Sequence, residues 1–221
     1  MQRTPRVTRC RPFLIAIAAL AAGAGCSPSG QNGPPALPVD RAALRAGWAG
    51  WTAARDSLFA SPDGPLGPRE RAAFRGLPYF PYDTALAVGA ALVPAVSTDT
   101  VAFPTSTGEL RPMVRAGQLV FRAGGVERRL VAYTAVGPEA ALGGGALFVP
   151  FRDATSGRAT YGGGRYLDLD VAPSGRYALD FNRAYHPYCV YSEAYSCPLP
   201  PAENTLALAV EAGERLGAVG P

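Results

Sequence analysis

The residues best equipped for chemistry lie at positions 148–214, a stretch that holds the only histidine, His186, two of the four cysteines and seven of the ten tyrosines. In Ala178-Leu179-Asp180-Phe181-Asn182, strand alternation would put Leu179 and Phe181 on one face and Asp180 and Asn182 on the other. Arg152 and Arg165 end or begin neighbouring apolar runs. An Asp–Arg–Asn cluster between strands could form a polar ligand pocket, because the guanidinium fork suits carboxylate or phosphate. It could equally be a buried ion pair that fixes strand register. Arg183, Tyr185, Glu203 and Asn204 complete the candidate ligand-binding set.

Cys189 and Cys197 are separated by seven residues. In an exported protein the default for such a pair is a disulfide, with a small loop contributing roughly 2.5 kcal/mol. Buried thiols, or a metal or redox role, are the alternatives. Adding His186 gives H-x2-C-x7-C, which is not a zinc spacing. Ser192 and Ser196 near His186 and Asp180 lack the GxSxG elbow of a hydrolytic triad. Asp180 and Glu203 could act as a glycosidase pair only at a separation that sequence does not set. No lysine occurs, and all 21 basic residues are arginine. That excludes Walker-A loops, Schiff-base enzymes and Ser–Lys dyads. One histidine excludes HExxH and three-histidine zinc centres. Neither a cofactor nor a metal is expected, and no catalytic residue is assigned.

These residues need a scaffold, and the chain supplies it in three parts. Residues 1–25 read as a signal peptide, with a basic n-region and an apolar run of 13 residues at 13–25. That run is too short to span a bilayer. Cys26 follows at once and resembles the lipidated cysteine of a bacterial lipoprotein, which would anchor the protein to a membrane of the cell envelope. Cleavage after Ala22-Gly23-Ala24 would instead give a secreted or periplasmic soluble protein. Residues 26–38, rich in Pro and Gly, read as a flexible tether with a reach of roughly 40 Å. Residues 39–221 form a single β-rich domain. Setting aside the four leader arginines leaves 17 basic against 17 acidic residues, so nothing electrostatic favours nucleic acid.

Within the domain, residues 40–76 read as helical. Asp40 is a suitable N-cap, and Leu44, Trp48, Trp51 and Leu58 form an apolar stripe. Pro68 can open a second short helix that Gly76 ends. From Thr84 onward short strand-like runs alternate with glycine turns, near 84–93, 99–104, 110–115, 118–122, 126–135, 146–152, 165–171, 176–182 and 205–211. The expected fold is mainly β: a single antiparallel sandwich or partly open barrel-like domain with an N-terminal helical segment.

Several motifs resemble the bacterial domain-of-unknown-function family 1684. They include Phe74-Arg75-Gly76-Leu77-Pro78-Tyr79-Phe80, Phe148-Val149-Pro150-Phe151-Arg152-Asp153-Ala154-Thr155-Ser156-Gly157, Leu179-Asp180-Phe181-Asn182-Arg183-Ala184-Tyr185 and Cys197-Pro198-Leu199-Pro200-Pro201. The resemblance covers residues 40–216 and departs at His186, where members usually carry Asn. It implies a shared fold and signature and no reaction. The functional expectation is a lipid-anchored envelope protein whose β domain binds a small molecule or envelope polymer. The alternative is a hydrolase-type enzyme using the Arg/Asp/Asn/Glu cluster.

Overall fold

The computed structural model describes residues 1–2, 37–137 and 146–217. The leader from residue 3 onward, Cys26, the tether through residue 36 and the glycine turn at 143–145 lie outside the described residues. Helix α1 (Arg41–Ala60) starts where the Asp40 carboxylate accepts a hydrogen bond from the Ala43 N–H at 3.0 Å. It stops at Ser61, whose hydroxyl and N–H both return to the Leu58 carbonyl. A short α2 (Pro68–Ala73) follows, with proline at its first turn, where no N–H is needed. Among the described residues, no helix is long and apolar enough to cross a membrane.

The strands are β1 (Ala87–Pro94), β2 (Thr100–Pro104), β3 (Leu110–Ala123), β4 (Val126–Ala135), β5 (Leu147–Phe151), β6 (Arg165–Leu169) and β7 (Arg176–Asp180). All pair antiparallel in one sheet of order β6-β5-β4-β3-β1-β7, with β2 on β3. The sheet curls into a half-barrel, the more open of the two architectures expected.

The long strand β3 replaces two expected strands and a turn. Met113 and Leu119 would share a face of an unbroken strand, since their separation is even. Instead the register shifts between Arg115, opposite Tyr133, and Gly117, opposite Ala132. The extra residue inverts the alternation. Leu119 and Phe121 therefore join Leu130, Val149, Phe151, Leu179 and Phe181 in the main core. Met113 joins Phe103, Val131 and Tyr133 in a second cluster. Glycine is required at 117 because a Cβ there would lie 2.4 Å from the Val93 carbonyl oxygen.

Residues 205–211 do not form the expected strand. They belong to an irregular strap, 205–216, that buries Leu206, Val210 and Ala212 in the main core. A buried carbonyl must find a donor, and a single side chain supplies it to three strap carbonyls. Arg165, only 1% exposed, donates to the carbonyls of Val210 (2.7 Å), Ala212 and Glu214 (3.0 Å). With those acceptors filled by a guanidinium, the strap needs no neighbouring strand.

Candidate functional site

The eight candidate ligand residues do not converge on one pocket. Arg165 pairs with Asp153, at 2.9 Å, and not with Asp180. Burial lowers its pKa, and the Asp153 carboxylate opposes that shift. Arg152 is half-buried and joins the strap through its backbone, whose N–H reaches the Asn204 carbonyl and whose carbonyl accepts from Leu206 N–H. Asp180 and Asn182 form a separate knot at the 3-10 turn Phe181–Arg183. The Asp180 carboxylate accepts from the backbone and side-chain N–H groups of Asn182 at 3.1 and 2.7 Å. The Asn182 amide in turn bonds the backbone N–H and carbonyl of Asp83, both at 2.8 Å. Its backbone carbonyl accepts from Trp48 Nε1 at 3.1 Å, which seats α1 on this turn. Arg183 stands 3.9 Å from Asp180 and is part-exposed.

Asn204 is fully buried and fills a gap in the sheet. Only Tyr133 and Phe148 pair between β4 and β5, and Pro150 of β5 has no N–H to give. The Asn204 amide bonds both the N–H and carbonyl of Val131 and the carbonyl of Pro150, at 2.7–2.9 Å. Glu203 is exposed and accepts from Arg115 at 2.6 Å and from the Tyr133 hydroxyl at 2.9 Å. Partial burial raises its pKa, but the Arg115 and Tyr133 hydrogen bonds outweigh burial and the net shift is downward. Tyr185 donates to Asp168 at 2.5 Å.

The expected disulfide is absent: Cys189 and Cys197 are free thiols. They are close neighbours, with Cys189 N–H donating to Cys197 Sγ at 3.2 Å. His186 does not join them as a metal ligand. Its Nε2 accepts the Tyr161 N–H at 3.2 Å, which leaves the proton on Nδ1, 3.9 Å from Glu214 Oε2. Among the described residues, no three His, Cys, Asp or Glu side chains could hold a metal.

His186 instead belongs to a sealed assembly beneath α1. Glu214, 0% exposed, pairs with Arg55 Nε at 2.8 Å and accepts from His186 N–H at 2.7 Å. The Arg55 guanidinium lies over the rings of Phe59, Tyr185 and Tyr188, a cation–π arrangement that favours arginine. Burial raises the Glu214 pKa, with Arg55 opposing. Burial, then the cations Arg165 and Arg55, push His186 down to about 3.

One open groove, of about 770 Å³, is lined by residues outside the candidate ligand set, among them Trp48, Thr52, Asp56, Gly76, Leu77 and Tyr79. Asp56 Oδ1 accepts from the Leu77 N–H at 3.0 Å and the Tyr79 hydroxyl at 3.1 Å. Both donors hold one oxygen only. The other faces Gly76, which has φ +119° and whose missing Cβ would lie 3.3 Å from Oδ2. Trp48 packs edge-on against Tyr79 and Tyr82, so the expected tryptophan stripe is a half-buried seam between α1 and the segment at 74–82. The signal available in sequence was an acid two helical turns from Trp48, and so on the same helix face, ahead of the Phe74-Arg75-Gly76-Leu77-Pro78-Tyr79-Phe80 motif.

No curated protein matches the chain. Among solved structures, it is similar to the solution structure of the uncharacterized protein from gene locus rrnAC0354 of Haloarcula marismortui. The two are 36% identical, with a TM-score of 0.62, over 79% of this chain and 95% of that one. The model of a family described as "Protein of unknown function (DUF1684)" matches residues 72–215. With its half-barrel, buried Asn and Arg knots and C-terminal strap encoded within those matched residues, the chain belongs to the DUF1684 family.

Proposed function

We propose that this protein is an envelope-anchored binding module, held to a membrane through a lipidated Cys26, whose β domain takes a ligand in the groove between α1 and residues 74–79. The observation that carries the reading is the Asp56 carboxylate. Leu77 N–H and Tyr79 hydroxyl fix one oxygen, and the other lines a groove with an aromatic wall. A part-buried acceptor beside an aromatic edge fits a ligand that donates hydrogen bonds and presents an apolar face, as saccharide units of an envelope polymer do. A hydrolase built on Arg165, Asp180, Asn182 and Glu203 has less support, because those groups are bonded within separate knots.

A thermal-shift screen of saccharides, amines and peptides tests the groove. A hit should raise the melting temperature of the wild type and not of Asp56→Asn, which keeps an oxygen for Leu77 and Tyr79. The groove reading fails if no compound binds, or if Asp56→Asn responds like the wild type. Anchoring is tested separately: Cys26→Ser should move the protein from the membrane to the soluble fraction, and an unacylated mature terminus would refute lipidation.

A further inference from the structure

We propose that Cys189 and Cys197 form a working dithiol, in which Cys189 attacks a low-molecular-weight disulfide and Cys197 resolves the mixed disulfide. The site is independent of the groove. The Cys189 N–H donates to Cys197 Sγ at 3.2 Å, which sets the two thiols side by side. The surroundings make the two thiols unequal. Cys189 stands in the 3-10 turn Tyr188–Val190 and is half-buried. Cys197 is 7% exposed and clamped to the turn between β2 and β3. Its N–H donates to Ser106 Oγ at 3.1 Å, its carbonyl accepts from Ser106 N–H at 2.8 Å, and Ser196 Oγ bonds Thr105 Oγ1 at 2.8 Å. Tyr161 is placed by its N–H on His186 Nε2.

This asymmetry suits a nucleophile and a resolving thiol. Hydrogen bonds from Cys197, then Ser106 and Tyr161, draw the Cys189 thiol down to about 6 despite burial. The bond to Cys189, with burial, pushes the Cys197 thiol upward. A thiolate at neutral pH is the attacking form. The Cys189 thiolate bonds to one sulfur of the disulfide and expels the other half as a thiolate. Cys197 then gives up its proton and bonds to the Cys189 sulfur. The second half leaves as a thiolate, which takes that proton. Two protein thiols are oxidised to one disulfide, and the substrate disulfide is reduced to two thiols. Because hydrogen bonds stabilise the Cys189 thiolate, the protein disulfide is readily reduced and the exchange is reversible. A half-buried attacking sulfur favours a small disulfide over one in a folded protein.

The test mixes the reduced protein with glutathione disulfide, quenches with an alkylating reagent and weighs the products. Wild type should lose two hydrogens, Cys197→Ser should stop at a glutathione adduct on Cys189, and Cys189→Ser should react at least tenfold more slowly. Alkylation of the reduced wild type should be half-maximal near pH 6, against about 8.5 for an ordinary thiol. Dithiothreitol should reduce the product without unfolding it. The proposal is overturned by a persistent dithiol, by first attack from Cys197, by an ordinary alkylation midpoint, or by a disulfide that resists reduction until the chain unfolds.

Discussion

His186 should govern how this fold fails in acid. The side chain is buried, its Nε2 accepts the Tyr161 N–H, and its folded pKa is drawn to about 3 by burial and by Arg165 and Arg55. In the unfolded chain a histidine titrates near 6.5. Between those values the unfolded state holds a proton that the folded state does not. Stability from this group is therefore full above about pH 6.5 and falls as pH drops toward about 3. At about 1.4 kcal/mol per pH unit, the loss by pH 4 is at most about 3.5 kcal/mol. Glu214 works the other way. Its folded pKa is raised by burial, so its contribution is present at low pH and lost as pH rises. Arg55, Arg165 and Tyr191 also face this assembly, and all remain in a variant that changes only the histidine. His186→Gln places a neutral acceptor near the position of Nε2. Urea unfolding of both proteins at pH 7, 5.5 and 4 measures the difference. The wild type should lose about 3 kcal/mol more than the variant between pH 7 and 4. Parallel acid limbs would refute a buried, neutral His186.

Two further outcomes separate the polar knots. Arg165→Met should cost about 3–5 kcal/mol by denaturant unfolding, because it leaves Asp153 buried without its cation and three strap carbonyls without a donor. Asp180→Ala should cost only about 1–2 kcal/mol in the same assay, since Asp180 caps a short turn and its nearest cation, Arg183, is part-exposed.

Much of the framework was legible because it follows local rules. Asp40 before an amphipathic run and Pro68 at a first turn marked both helices, and alternation marked most strands. Two misreadings came from effects that act at a distance. Ala116-Gly117 has the composition of a turn, yet it is a bulge set by the passage of Val93. Residues 205–211 alternate like a strand, but Arg165 takes the Val210 carbonyl and, just beyond, those of Ala212 and Glu214. Asp180 and Asn182 do meet, but through the 3-10 turn that follows the end of β7 at Asp180 and not through strand alternation, and alternation could not say that Arg165 would pair with Asp153. The groove escaped notice because Asp56 acquires its setting from a segment some twenty residues away, through the Leu77 N–H and Tyr79 hydroxyl.

The polar residues that looked most chemical share a physical task. A chain with 26 glycines and 22 prolines breaks its own ladders often, and each break leaves buried backbone groups to satisfy. Asn204 serves Val131 and Pro150 where β4 and β5 barely pair, Asn182 serves Asp83 at a turn, and Arg165 serves the strap. Each is buried and multiply bonded. Such residues are constrained as tightly as a catalytic group would be, but by folding. Reactive or ligand-facing groups should keep bonding capacity toward an accessible surface. Asp56 on the groove wall and the half-buried Cys189 meet that condition, whereas Arg165, Asn182 and Asn204 do not.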